Sequence, residues 1–161
     1  MSRFARRPFT GLLFSALVLS PVAIGSFASA ADVPAKKPAH TLAVKDSKLG
    51  PILTDGTGMS LYMFTPDRRN VSNCEGGCLV AWPPIMLKAG ESLDDVALEG
   101  NLRRSLLGVA MRFDGSRHVT YNGFPLYYWA RDRVAGDING QWVNNLWFVL
   151  NPVGDPNSAR I

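Results

Sequence analysis

The two cysteines of the chain, Cys74 and Cys78, stand in the stretch "NCEGGCLVAWPP" at residues 73–84. A pair at this spacing can close a disulfide, bind a soft metal as thiolates, or exchange thiols with a substrate. In an oxidising compartment, two cysteines this close read first as a disulfide. On a regular helix, residues four apart hold their Cβ atoms roughly 5–6 Å from each other, whereas a disulfide wants about 3.8 Å. A bridge therefore places Cys74 outside any helix, in a bend that Gly76-Gly77 permits because glycine accepts positive φ. So short a loop would stabilise the fold by only about 2 kcal/mol. Its task would be to shape the chain ahead of Trp82-Pro83-Pro84.

The metal alternative gathers Cys74, Cys78 and Met86 around copper, since thiolate and thioether suit Cu(I). Met59, Met63, Met111, His40 and His118 are the other candidate donors. No histidine follows within the loop, and the methionines fall in strand-like segments, where packing is their ordinary use. His118, next to Arg117 by a turn, reads as an exposed strand end. Thiol–disulfide catalysts and c-type haem sites need Cys-x-x-Cys and Cys-x-x-Cys-His, and neither is present. Asp67 and Asp132 could be the paired carboxylates of a hydrolase if a cleft brought them within roughly 5–10 Å. Each follows an aromatic segment at a turn, where an Asp more simply accepts turn N–H groups. Asp132, Asp137 and Asn139 loosely suggest a calcium loop, but their spacing departs from the EF-hand. Tyr128 and Trp142 are the aromatic candidates for stacking on a sugar or peptide.

The elements that must carry these residues are duplicated. "GMSLYMFTPDR" (58–68) and "GFPLYYWARDR" (123–133) align at an offset of 65 residues. Gly58, Leu61, Tyr62, Phe64 and Asp67 fall on Gly123, Leu126, Tyr127, Trp129 and Asp132, and Trp82 falls on Trp147. These twelve residues are expected to form a shared framework, because two copies of one supersecondary unit pack together. Cys74 and Cys78 have no counterparts in the second copy, where Asn139 and Val143 stand, so their role is local. Each copy reads as a strand, then a turn. Alternation puts Leu61 and Met63 on one face and Tyr62 and Phe64 on the other, with Leu126 and Tyr128 against Tyr127 and Trp129. Further strands are expected over 41–45, 51–55, 108–113, 118–121 and 145–150, and short helical turns over 77–82 and 101–107. Asp94-Asp95 reads as loop. The fold class is all-β, or β-rich α+β: two pseudo-repeated antiparallel units in one domain over 41–152, with repeats near 58–82 and 123–147 and a tail at 153–161.

"LYMFTPD", the Cys-x3-Cys, "WPP", "GVAMRFDG" and "PLYYWARD" together resemble the secreted-repeat family of bacterial lipoproteins marked by a Tyr-x-(Phe/Trp/Tyr)-x-x-Asp motif. The resemblance spans roughly residues 41–152. It implies an extracytoplasmic location and no established activity. The lipid-carrying cysteine of those lipoproteins is absent at the start of the mature chain, so their membrane anchor does not transfer.

The N-terminus agrees with export. Arg3, Arg6 and Arg7 precede an apolar run over 11–25 and the small residues Ala28 and Ala30, the pattern of a signal peptide over 1–30 cleaved near Ala30. Arg6-Arg7-Pro8-Phe9 also approaches a twin-arginine signal. Residues 31–40 read as a flexible, Pro-rich lead-in. The whole chain carries +4 at pH 7, and cleavage removes three basic residues to leave about +1. A near-neutral surface makes no electrostatic case for nucleic acid. The reading is an exported, non-enzymatic binding or structural module of the cell envelope, periplasmic or secreted, without cofactor or transmembrane anchor. Its partner would be an envelope component or a small ligand. The alternative is an extracytoplasmic copper-binding or electron-transfer protein.

Overall fold

The computed structural model describes residues 37–160; the signal peptide and most of the lead-in expected above lie outside them. Strands β1 (His40–Ser47) and β2 (Gly50–Asp55) form an antiparallel hairpin. β3 (Tyr62–Phe64) follows, then the one α-helix among the described residues, α1 (Gly77–Ala81), and β4 (Met86–Leu87). β5 (Val96–Leu98) precedes a second hairpin of β6 (Leu107–Met111) and β7 (Arg117–Tyr121). β8 (Phe124–Pro125) and β9 (Trp147–Val149) complete the strands. The sheets run β2-β1-β5, β4-β7-β6 with β8 on β7, and β3-β9. The fold is β-rich, as the patterning implies.

Four local expectations change. β5 joins β1 in parallel, His40 opposite Val96, so one strand pair among the described residues is not antiparallel. It is delivered by a 3-10 turn, Leu93–Asp95, where a loop was expected. Ser92 and Asp95 cap that turn reciprocally, which satisfies the N–H groups a loop would leave open. The expected helical turn over 101–107 shrinks to a 3-10 turn at Arg104–Leu106, because Leu107 already begins β6. The second aromatic segment pairs with β7 only through Phe124–Pro125. Pro125 has no N–H to extend a ladder.

The twin hairpins reveal how the duplication is built. Ala43 lies opposite Thr54; Gly108, 65 positions later, lies opposite Thr120, 66 positions later. The second hairpin turn is therefore one residue longer than the first. The turn after it is one residue shorter, closing on Asn122-Gly123, both at positive φ. Two compensating changes restore the offset by Gly123.

The halves also trade their last strands. β4 ends the first half and pairs with β7 of the second; β9 ends the second half and pairs with β3 of the first. The hydrogen bonds are reciprocal: Leu53 N–H to Leu150 O (2.8 Å) mirrors Val119 N–H to Ile85 O (2.8 Å). Thr65 N–H to Leu146 O (2.8 Å) mirrors Ala130 N–H to Ala81 O (2.9 Å). At the centre, Tyr62 N–H bonds Tyr127 O (2.9 Å) and Tyr127 N–H bonds Tyr62 O (3.0 Å). Neither half can close its own ladder, so the two fold as one body.

The central segments separate two apolar clusters. Leu61, Met63, Leu126 and half-buried Tyr128 face one, with Leu42, Leu53, Val119 and Tyr121. Tyr62, Phe64, Tyr127 and Trp129 face the other, with Ile52, Cys74, Trp82 and Trp147. Residues 153–160 fold back on this body: Asn157 N–H bonds Val149 O (2.8 Å), and Gln141 Nε2 donates to Asn157 O (2.6 Å).

Candidate functional site

The twelve repeated residues sit in matching surroundings. Gly58 and Gly123 adopt φ of +91° and +83°, a region that favours glycine, and a Cβ on Gly123 would meet Arg69 at 2.6 Å. Leu61, Leu126, Tyr62 and Tyr127 are fully buried. The aromatic rings build a symmetrical column. Phe64 stacks on Trp147 (4.2 Å), Trp147 on Trp82 (3.7 Å, 4° between planes), and Trp82 on Trp129 (4.1 Å). Tyr62 meets Trp82 edge-on at 5.4 Å and Tyr127 meets Trp147 edge-on at 5.1 Å.

The two motif carboxylates cross between halves. Tyr62 Oη donates to Asp132 Oδ2 (2.6 Å) and Tyr127 Oη donates to Asp67 Oδ2 (2.8 Å). The other oxygen of each accepts a turn N–H, from Asn139 (3.0 Å) and from Asn73 (2.6 Å). Both Asp residues thereby tie a turn of their own half to a buried hydroxyl of the other. Burial first, then the neighbouring carboxylates, holds both phenols above their ordinary range. Burial likewise raises Asp132.

Beyond this frame the halves differ. On the Tyr62–Asp132 side, Tyr62 Oη accepts Gly140 N–H (3.2 Å). On the Tyr127–Asp67 side, a chain of side chains continues past Tyr127. With Tyr127 donating to Asp67, its oxygen accepts from Ser72 Oγ (2.7 Å), and Ser72 Oγ accepts from Arg112 Nη1 (2.6 Å). Arg112 Nη2 donates to Cys74 O (2.9 Å) and pairs with Glu75 Oε1 (2.8 Å). A one-way hydrogen-bond chain thus runs from a buried guanidinium to a carboxylate. Burial pushes Asp67 up to about 6; the Asn73 N–H, the Tyr127 hydroxyl and the Arg112 charge restrain the rise. A cleft of about 220 Å³ opens above, lined by Val71, Ser72, Met111, Arg112 and Phe113. Ser47 stands at the position of Arg112 in the first half and closes a β-turn onto Gly50 O (2.7 Å).

His118 belongs to this cluster and corrects the expectation of an exposed strand end: it is fully buried. β7 is the central strand of its sheet, between β4 and β6, so its inward face is covered on both sides. The ring donates Nε2–H to Leu126 O (2.7 Å), meets Tyr127 edge-on at 4.7 Å, and leaves Nδ1 buried without a partner. Desolvation lowers the imidazole to about 4. By the hairpin register its counterpart is Ile52, buried in the second apolar cluster.

The sulfurs of Cys74 and Cys78 are joined, with Cα atoms 5.4 Å apart. Cys74 precedes α1, and Gly76 makes the bend at φ +55°. The loop presents Cys74 O and Glu75 to Arg112, so it positions the cluster. Urea unfolding of Cys78→Ser is expected to show a loss of about 2 kcal/mol; reductant should shift the parent to the same midpoint and leave the variant unmoved.

The remaining candidates disperse. Met86 is half-buried on β4, and its carbonyl accepts from His40 Nε2 (2.8 Å). Met63 packs in the first cluster, and Met111 is exposed at the cleft rim. A disulfide offers copper no thiolate, and among the described residues no group of three or more His, Cys, Asp or Glu is placed to hold a metal ion. Asp137 spends Oδ2 on the N–H groups of Arg133 (2.8 Å) and Val134 (3.1 Å), which makes it a turn cap. Trp142 is covered by Arg160 over one face (4.1 Å) and by Phe148, and it donates Nε1–H to Ala159 O (3.0 Å); the returning tail occupies this ring. Tyr128 donates to Asp55 Oδ2 (3.2 Å) and lines a cleft of about 370 Å³ with His40, Thr57 and Glu99. Sequence reasoning did not single out Arg112, Ser72 or Glu75. The comparison that exposes them is between the halves: an arginine in the second where the first carries Ser47, and a glutamate in the first where the second carries Gly140.

Fold and site together define a duplicated β domain whose halves exchange their terminal strands, with an added arginine cluster on one of the two Tyr–Asp crossings. The chain belongs to the family described as a secreted repeat of unknown function, two copies of which match residues 43–86 and 108–151, more than half of the chain. No curated protein and no solved structure matches it. Among the described residues, no helix is long and apolar enough to cross a membrane.

Proposed function

We propose that this protein is a non-enzymatic binding or structural module of the cell envelope, released to the periplasm or the exterior after cleavage near Ala30. The observation that carries the reading is the crossed pairing of Tyr62 with Asp132 and of Tyr127 with Asp67. Carboxylates committed to buried hydroxyls and turn N–H groups on both sides are holding a fold together, and both halves need them equally. Copper transfer would require the two thiols that the disulfide consumes. Tyr62→Phe and Tyr127→Phe should each cost about 1–3 kcal/mol in urea unfolding, because each leaves a largely buried carboxylate oxygen without its donor. A variant that keeps its stability but loses turnover on an ester, glycoside or peptide substrate would replace this reading with a hydrolase.

A further inference from the structure

We propose that the cleft above Arg112 binds the carboxylate of a small acid with an apolar body, and that Glu75 occupies the guanidinium until such a ligand displaces it. This deepens the binding reading above and rests on it.

The argument begins with what the fold does not require. The Tyr62–Asp132 side keeps the same frame with Gly140 N–H where the Tyr127–Asp67 side has Ser72 and, from the second half, Arg112. A buried arginine is therefore an addition, and burying a charge is costly unless it is paired. Here the pairing is incomplete. A guanidinium has five N–H donors in a planar fork, and Ser72, Cys74 O and Glu75 use three of them. The side chain is 4 % exposed, enough to face the cleft and little enough to hold a fixed geometry.

The existing partner shows what the fork accepts. Glu75 reaches Arg112 through a single oxygen from a side chain 50 % exposed, on the disulfide loop. Half-exposed ion pairs are weak. An incoming carboxylate that makes two parallel N–H···O bonds has the geometry the fork prefers. The rim defines the rest of the ligand. Val71, Met111 and Phe113 are all exposed, Phe113 almost completely at 98 %, and together they line this one cleft. Apolar walls above a cationic floor select an anion with a hydrocarbon body and reject both a bare anion and a neutral chain. A free aliphatic acid and the C-terminal carboxylate of an apolar peptide share that chemistry.

The test is calorimetric titration of the oxidised protein with octanoate, octanol, and N-acetyl-Leu-Leu as free acid and as amide. Octanoate should bind about 10-fold or more tightly than octanol, the difference expected from charge-assisted hydrogen bonds. Glu75→Gln, its fold checked by circular dichroism, should tighten octanoate by about 3-fold or more by removing the competitor. Phe113→Ser should weaken it. Tighter binding of the peptide acid than of octanoate would assign the ligand to peptide termini; the reverse would assign it to free acids. Equal affinity for octanoate and octanol, or no effect of Glu75→Gln, would overturn the proposal. Those results would leave the framework reading standing, since that reading is tested by the tyrosine and tryptophan variants and not by ligand binding.

Discussion

Trp147→Ala is expected to remove about 3–5 kcal/mol of stability, a large share of the roughly 5–15 kcal/mol of a typical domain. Trp147 is the ring on which the two halves meet. It stacks on Trp82 and Phe64 and receives the edge of Tyr127, and it is only 2 % exposed. Truncation opens a cavity between two rings that no neighbour can fill, because the backbone on either side is held by the exchanged strands. Trp82→Ala, its counterpart, should cost nearly as much: it loses the same stack and the contacts to Tyr62 and Trp129. The double variant should cost less than the sum, since both single changes remove one shared contact. Urea unfolding followed by tryptophan fluorescence and by circular dichroism measures all three. If one variant unfolds and the other is as stable as the parent, the reciprocal frame is not what holds the molecule together.

His118→Ile should invert the response of stability to acid. The substitution writes into the second hairpin the residue its twin carries at Ile52. In the parent, folding holds the imidazole near 4 against 6.5 when free. The unfolded chain therefore takes up a proton first, and this contribution is lost as pH falls from about 6.5 to about 4, by up to about 3 kcal/mol. Asp67 works in the opposite sense. Its folded value of about 6 exceeds the free value of 3.8, so the folded chain takes up the proton first. That contribution is full below about 3.8 and is lost as pH rises through about 6; with allowance for solvent screening it is worth about 1–2 kcal/mol. Between pH 6.5 and 4 the carboxyl offsets only part of the imidazole loss, so the parent loses stability as acid is added. Removing the imidazole leaves the carboxyl contribution alone. The variant should lie within about 1 kcal/mol of the parent at pH 7, the worth of the lost hydrogen bond to Leu126 O. At pH 4.5 it should be more stable by about 2–3 kcal/mol. Parallel pH profiles for parent and variant would show that His118 is not buried as a neutral ring.

The alternation of apolar residues in "SLYMF" and "PLYYW" is a local property. It assigned Leu61, Met63, Leu126 and Tyr128 to one cluster and Tyr62, Phe64, Tyr127 and Trp129 to the other without any knowledge of the partners. The offset of 65 residues likewise made the duplication and the matched Tyr and Asp positions readable. The identity of the partners was not local. Tyr62 could have met Asp67 within its own half; it meets Asp132 because β4 and β9 are exchanged, and spacing does not say which half a returning strand joins. His118 is a single polar residue between Arg117 and Val119, and only its place in a central strand buries it. Arg112 became legible once the hairpin register set it beside Ser72 and the cysteine loop, 40 and 38 residues away in the chain. Side-chain period is dictated by the backbone of one strand; long-range pairing is decided by which surfaces remain to be covered when the whole chain closes.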